Sequence, residues 1–125
     1  MTGRPRLLVI EDDTTLGEIV EEVMNEEGYE VRRTNNGRDG LGILESWEPD
    51  VVLLDVMLPH MNAFQLRDMQ RQSNIGPSAR FVLLSASRDL EATAARLGAD
   101  AWLPKPFALN DLTDAVRRLM PGGPH

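Results

Sequence analysis

A chain of 125 residues with 42% hydrophobic and 26% charged residues has the size and composition of one folded domain. Its net charge of -7 argues against nucleic-acid binding by this domain alone, because phosphate contacts are made mostly by Lys and Arg. The sequence contains no cysteine, which excludes disulfides, thiol catalysis and thiolate metal sites.

No apolar run reaches the ~20 residues of a membrane span, and the first residues lead straight into a predicted strand instead of a signal peptide. We therefore expect a cytoplasmic protein that does not bind membranes. We also expect residues 1–125 to form a single domain. Residues 121–125, which are rich in proline and glycine, are expected to be a flexible tail or the start of a linker.

The first half of the chain predicts two strands and two helices. The apolar run Arg6–Ile10 predicts a strand, which ends in three consecutive acids. A helix with apolar residues at helical spacing follows, and Asp13 or Thr14 is placed to cap its first turn. Residues 29–33 predict a more polar strand at a sheet edge, and residues 41–47 predict a helix packed on the sheet.

The second half is centred on residues 51–54, four apolar residues that lead into Asp55. An uninterrupted apolar run of this length, bounded by Pro49 and Pro59, predicts a strand buried on both faces. The alternation of helices and strands then continues to the end of the chain. The predicted elements are a helix at 62–72, a strand at 81–84, a helix at 88–97, a strand at 101–103 and a helix from about residue 109.

Five strands that alternate with five helices predict an α/β fold with a parallel, doubly wound sheet. In such a sheet the carboxyl ends of the strands meet at one edge, where ligands bind. Glu11, Asp12, Asp55, Ser85 and Lys105 all follow strands, so we expect this edge to gather them. That convergence is the main functional signal of the sequence.

The gathered residues have the chemistry of a phosphoryl-transfer site. Glu11, Asp12 and Asp55 place three carboxylates together, and an oxygen-only site of this kind suits Mg²⁺ better than Zn²⁺. Lys105 offers a positive charge and Ser85 a hydroxyl to the same edge. A carboxylate nucleophile, Mg²⁺, an ammonium and a hydroxyl are together sufficient to bind and transfer a phosphoryl group. We therefore predict reversible phosphorylation of Asp55.

Four motifs in order carry a resemblance to a known family. The chain resembles the receiver domain of two-component response regulators over essentially its whole length. The motifs are Leu-Leu-Val-Ile-Glu11-Asp12-Asp13, Leu-Leu-Asp55-Val-Met57-Leu-Pro59, Leu-Leu-Ser85-Ala86 and Gly98-Ala-Asp-Ala-Trp102-Leu-Pro-Lys105-Pro106-Phe107. The resemblance implies a flavodoxin-like fold with five strands in the order 2-1-3-4-5.

The resemblance also implies roles at the phosphorylation site. Asp55 is expected to accept a phosphoryl group from a phosphohistidine of a histidine kinase. The cofactor Mg²⁺ is expected to bind Asp12, Asp55 and the backbone carbonyl of Met57, while Glu11 acts largely through water. The protein would then be a signalling receiver that catalyses only its own phosphorylation and dephosphorylation, and not an enzyme.

The remaining motif residues are expected to sense the phosphoryl group. Ser85 would hydrogen-bond it, Lys105 would pair with it, and the small Ala86 would leave its entry open. The Lys105–Pro106 peptide is expected to be cis, and Trp102 stands at the position of the family's switch aromatic. Phosphorylation would change the partners of the face formed by the fourth helix, fifth strand and fifth helix.

Partners expected from the resemblance are a sensor histidine kinase or phosphotransfer protein, and a downstream protein or a second copy at the switched face. Trp102 departs from the more usual tyrosine or phenylalanine, and Asn62-Ala63 departs from the more usual Asp-Gly.

A stand-alone regulator and one domain of a larger protein both fit the sequence. The alternatives are an enzyme of the haloacid-dehalogenase type, a nucleotide-binding domain and a receiver that is not phosphorylated. The first requires a second acid where Met57 stands.

Overall fold

The computed structural model describes residues 3–122, so the last three residues of the predicted tail lie outside the described residues. The strands are β1 (Arg6–Ile10), β2 (Glu30–Thr34), β3 (Val51–Asp55), β4 (Arg80–Ser85) and β5 (Ala101–Pro104). The helices are α1 (Thr14–Glu26), α2 (Gly37–Trp47), α3 (Ala63–Gln72), α4 (Leu90–Leu97) and α5 (Leu109–Leu119). Within residues 3–122, none of the helices combines the length and the apolar content needed to cross a membrane.

The five strands form one parallel sheet in the order β2-β1-β3-β4-β5, which confirms the predicted fold class and strand order. β3 is the central strand, and its Leu53 lies beside Val9 of β1 and Val82 of β4. All five residues of β3 are buried, as its uninterrupted apolar run predicts. β2 lies at the edge of the sheet and is only partly buried, as its polar composition predicts.

Two apolar cores cover the two faces of the sheet. Successive residues of a strand point to opposite faces, so Leu8 and Ile10 of β1 contribute to one core while Leu7 and Val9 contribute to the other. The first core is completed by α2, α3 and α4, and the second by α1 and α5. Each fully buried aliphatic side chain stabilises the fold by about 1.5–3 kcal/mol, so both cores hold the loops at the carboxyl edge in place.

Helix α2 forms although it contains Gly40 and Gly42, and glycine has a low helix propensity. A Cβ atom at Gly40 would lie 2.4 Å from the Cδ1 atom of Ile10, a fully buried residue of β1. Gly40 therefore allows α2 to approach the sheet closely. Gly42 has no such function, because a Cβ atom there would meet nothing within 4 Å.

Side chains at the helix ends explain several boundaries. Asp13 caps α1, since its Oδ1 accepts the N–H of Leu16 at 3.1 Å. Asn62 and Gln65 cap α3 reciprocally, each side chain accepting the backbone N–H of the other residue at 2.9 Å. Helix α4 begins at Leu90, two residues later than the predicted start at residue 88.

Candidate functional site

Three carboxylates converge at the carboxyl edge of the sheet. Glu11 and Asp12 follow β1, and Asp55 is the last residue of the neighbouring strand β3. One carboxylate oxygen from each residue lies within 4.8 Å of those of the other two. Glu11 and Asp55 are only 1% and 4% exposed, whereas Asp12 is exposed. Carboxylates this close, two of them held away from water, favour either a bound proton or a bound cation.

Lys105 brings a positive charge to these acids. Its Nζ lies 2.7 Å from Oε1 of Glu11 and 3.2 Å from Oδ2 of Asp55, to which it donates a hydrogen bond. Despite the short contact with Lys105, the buried Oε1 of Glu11 has no partner in hydrogen-bond geometry among the described residues. The Lys105–Pro106 peptide is cis. The direct pairing of Lys105 with Glu11 was not predicted from the sequence, which identifies a shared edge but not individual contacts.

The acids and the lysine change each other's affinity for protons. Burial raises the pKa of Glu11 to about 7; its contact with Lys105 opposes this rise, and the nearby Asp55 adds to it. Burial also acts to raise the pKa of Asp55, but the adjacent Glu11 carboxyl, the hydrogen bond from the Met57 N–H and the charge of Lys105 outweigh it and lower this pKa. Burial acts to lower the pKa of Lys105, and the two acids reverse this effect and raise it. At neutral pH, Asp55 is therefore an anion beside an ammonium group.

Backbone and hydroxyl groups complete the edge around Asp55. The N–H of Met57 donates to Oδ1 of Asp55 at 3.0 Å, so the backbone of Met57 lies against the carboxylate while its side chain is 70% exposed. Ser85 ends β4 and is buried, and its Oγ accepts the N–H of Ser87 at 3.0 Å. Ala86, the next residue, is exposed.

Trp102 lies on β5, in register with Leu83 of β4, and its side chain is 41% exposed. The indole borders a cavity of about 320 Å³ between β5 and α5, which is also lined by Asp111, Ala115 and Arg118. In this structure, therefore, the aromatic side chain packs on the outer surface and is not among the buried residues.

A polar recess of about 770 Å³ adjoins the acids and was missed by the sequence reasoning. It lies beside Asp12 and is also lined by Asn36, Arg38, His60 and Met61. Residues 35–37 have the Asn-Asn-Gly sequence of a turn, and His60 lies in the loop after β3. Two loops that are distant in sequence form the recess together, so no local pattern could have indicated it.

Comparisons with known proteins agree with the fold. The model of the response regulator receiver domain family matches residues 7–117. The transcriptional regulatory protein PcoR of Escherichia coli is 35% identical over 115 residues, which cover 92% of this chain and 51% of PcoR. Sporulation initiation phosphotransferase F of Bacillus subtilis (strain 168) is 30% identical over 118 residues, which cover 93% of this chain and 94% of that protein.

A solved structure agrees with these matches. The non-phosphorylated HemR receiver domain from Leptospira biflexa superposes with a TM-score of 0.81 at 29% identity, covering 98% of this chain and 99% of that one. The chain spans about half the length of PcoR and of the response regulator MprA of Mycolicibacterium vanbaalenii, but nearly all of phosphotransferase F. Since the family model covers most of the chain, the chain belongs to the response regulator receiver domains of two-component systems.

Proposed function

We propose that this receiver is a phosphorylation switch in which Asp55 accepts the phosphoryl group of a phosphohistidine. The donor would be a sensor histidine kinase or a phosphotransfer protein. The observation that carries the proposal is the set of contacts at Asp55. Its buried carboxylate has a lowered pKa, receives a hydrogen bond from Lys105, and lies within 4.8 Å of the carboxylates of Glu11 and Asp12. The similarity to a protein named as a phosphotransferase supports the proposal.

The proposed transfer is a substitution at phosphorus. A bond forms between phosphorus and a carboxylate oxygen of Asp55, while the bond from phosphorus to the imidazole nitrogen of the donor breaks. Because Asp55 is already an anion at neutral pH, no base is needed to activate it. Lys105 lies 3.2 Å from Asp55, where its ammonium would pair with the negative charge of the arriving group.

The acidic edge suits a hard divalent cation. Its donors are all oxygen atoms, from three carboxylates that lie within 4.8 Å of one another, and the exposed Asp12 leaves room for water ligands. Asp12, Asp55 and the backbone carbonyl of Met57 would hold Mg²⁺, with Glu11 contacting it through water. The ion would offset the charge on phosphoryl oxygens during the transfer.

The same proposal assigns roles to the residues around Asp55. Ser85 would donate its hydroxyl hydrogen to the phosphoryl group, and Ala86 would keep the entry open. Trp102 would respond to the movement of Ser85, and the face of α4, β5 and α5 would thereby change its partners. A downstream protein, or a second copy of the chain, would bind that face.

The expected biological role is signalling and not turnover of a substrate. A cytoplasmic location and a single domain over residues 1–125 remain predictions from the sequence. The activity of longer relatives such as PcoR belongs to those proteins, of which this chain spans about half. Among the alternatives, a receiver that is never phosphorylated remains the relevant one, and the experiment below distinguishes it.

The decisive experiment is intact-mass spectrometry after incubation with acetyl phosphate, with and without Mg²⁺. We expect a single phosphoryl adduct on the wild-type chain that requires Mg²⁺ and disappears in Asp55→Asn. Asp68→Asn is the matched control, since it removes an exposed carboxylate of α3 outside the site and should keep the adduct.

Two results would count against the proposal. An adduct that persists in Asp55→Asn would mean that another residue is the acceptor. If acetyl phosphate and a purified phosphorylated histidine kinase both left the wild-type chain without an adduct, the chain would be a receiver that acts without phosphorylation.

A further inference from the structure

Two arginines of α3 lie side by side at the amino edge of the sheet, where α3 ends and β4 begins. Arg67 and Arg71 donate to the same carbonyl oxygen, that of Leu97, at 3.0 Å and 2.8 Å. Arg67 also donates to the carbonyl of Gly98 at 3.3 Å and to Oε1 of Gln70 at 2.6 Å. We call these two arginines the arginine pair. Because both guanidinium groups reach one oxygen atom, two positive charges are held close together.

The arginine pair lacks a carboxylate at ion-pair distance within residues 3–122, where the ion pairs all use other cations. Such a pair is unexpected in this chain, because its 20 Asp and Glu residues outnumber its 13 Lys and Arg residues. Burial and the charge of Arg71 both lower the pKa of Arg67, and the charge of Asp100 opposes this without cancelling it. The two charges therefore repel each other in the folded protein.

The end of α4 offsets part of this repulsion but does not use all the donors of the pair. The last carbonyls of a helix lack partners within the helix and carry partial negative charge. A guanidinium group has five N–H donors, however, and the exposed Arg71 makes only its bond to Leu97 in the described part of the chain. The other N–H groups of Arg71 are therefore available to a ligand.

A small cavity of about 240 Å³ adjoins the arginine pair. It is lined by Arg67, Gln70, Arg71, Asn74, Ile75 and Pro77. Cavities for drug-sized ligands usually measure roughly 300–1,000 Å³, so this cavity suits a smaller molecule. Its polar lining consists of two cations and two amides and includes no carboxylate, which favours an anion.

The arginine pair is held in position by its own contacts. The guanidinium of Arg67 lies 4.2 Å from the centre of the Phe81 ring, and its partner Gln70 is buried. Gly98 allows the close approach of Arg71, since a Cβ atom at Gly98 would lie 2.6 Å from a terminal nitrogen of that arginine. A ligand would therefore meet donors that are already ordered, which lowers the entropic cost of binding.

We propose that the arginine pair and its cavity bind a small phosphate dianion, either free phosphate or the phosphate group of a monoester. Guanidinium groups bind phosphate through paired hydrogen bonds, and a dianion carries as many charges as the pair. Its oxygen atoms would accept hydrogen bonds from Arg71 and from the side-chain amide of Asn74. Because the cavity lies at the amino edge and Asp55 at the carboxyl edge, this inference does not rest on the proposed function.

Titration of the whole chain with inorganic phosphate, followed by NMR at neutral pH, tests the site. EDTA is present, so that phosphate cannot bind through a metal at the acidic edge. Phosphate should shift the side-chain Nε and Cζ signals of Arg67 and Arg71 and saturate in the millimolar range, whereas NaCl or acetate at equal ionic strength should not. Phenyl phosphate distinguishes the two sources, since tighter binding than that of phosphate assigns the site to a monoester and weaker binding assigns it to free phosphate.

Variants of the exposed Arg71 show whether the pair is the binding site. Arg71→Met should weaken phosphate binding by about tenfold or more, because charged hydrogen bonds are lost. Arg71→Lys should weaken it less, since lysine keeps the charge but not the planar fork of donors. Arg96→Met is the matched control: it removes the same charge from α4, where Arg96 packs on the Phe64 ring outside the cavity. Arg96→Met and Asp55→Asn should both bind phosphate as the wild type does.

Three results would overturn the site. Shifts that grow without saturation, or that NaCl reproduces, would mean that phosphate only screens the surface charge and that the pair serves only to hold the end of α4. Equal weakening in Arg71→Met and Arg96→Met would show that general charge, and not the arginine pair, attracts the anion. Loss of binding in Asp55→Asn would place the anion at the carboxyl edge. The backbone spectrum of each variant verifies its fold, and Arg71→Gln replaces Arg71→Met if that variant does not fold.

Discussion

Glu11 and Asp55 occupy the same buried edge, but they hold protons with different strength. Burial raises the pKa of Glu11 to about 7. For Asp55 the same burial is outweighed by the adjacent Glu11 carboxyl, the hydrogen bond from Met57 and the charge of Lys105, which lower its pKa. Because the two pKa values shift in opposite directions, Asp55 is the anion on which the proposed transfer depends, and Glu11 is the residue that responds to pH near neutrality.

We predict that Glu11 makes the metal-free protein less stable as pH rises. An unfolded Glu11 regains its ordinary pKa near 4.5, so the folded state binds the proton more tightly. The stabilisation is fully present below pH 4.5 and is lost as pH rises through about 7, with a change on the order of 3 kcal/mol. Urea unfolding at pH 5 and pH 8, with EDTA present, measures it.

Two variants isolate this contribution. Glu11→Gln should remove most of the loss between pH 5 and pH 8, because glutamine does not titrate. Glu18→Gln, on the exposed face of α1, should lose as much stability as the wild type over this range. Equal losses in all three proteins would show that Glu11 does not hold a proton in this site.

The sequence predicts the elements well because their signals are local. The apolar run of β3 and the helical spacing of α1 and α5 each lie within about a dozen neighbouring residues, and the alternation of elements then limits the sheet to one class. It also predicts which residues share the carboxyl edge. The hydrogen bond from Arg67 to the Leu97 carbonyl could not be predicted, because these residues are 30 positions apart and meet only when α3 and α4 pack together.

Two glycines of helix α2, one packed against β1 and one facing open space, allow the effect of packing on stability to be tested. We predict that Gly40→Ala destabilises the protein by about 1–3 kcal/mol, because the new methyl group would lie 2.4 Å from Cδ1 of the fully buried Ile10. Gly42→Ala should stabilise it by about 0.5–1 kcal/mol, because alanine favours the helix and meets nothing within 4 Å. Midpoints of urea unfolding give both values.

The opposite signs are the essential part of this prediction. Both substitutions add the same methyl group and the same gain in helix propensity, so the difference between them measures the contact of α2 with β1. If Gly40→Ala stabilised the protein as much as Gly42→Ala, Ile10 would have room to move, and the close approach of α2 would not depend on glycine.

For the molecule as a whole, repulsion among the carboxylates at the carboxyl edge lowers the stability of the folded state, and a bound cation would relieve this repulsion. The chain has a net charge of -7, and three of its carboxylates are held within 4.8 Å by strands β1 and β3. Unfolding separates Asp55 from Glu11 and Asp12, so the folded state alone bears the repulsion between Asp55 and the other two. Lys105 offsets part of this repulsion at Glu11 and Asp55, while Asp12 lies outside both of its ion pairs.

We therefore predict that Mg²⁺ raises the free energy of unfolding of the whole domain. The ion would bind the folded edge and not the unfolded chain, so the gain at a free concentration of 100 times the dissociation constant is about 2.7 kcal/mol. Urea unfolding followed by circular dichroism, at constant ionic strength with Mg²⁺ or with NaCl and EDTA, measures it. Asp12→Asn should abolish the gain, whereas Asp68→Asn on the exposed side of α3 should retain it. An equal gain in both variants would mean that Mg²⁺ screens the surface charge generally, and the three carboxylates would not form a specific site.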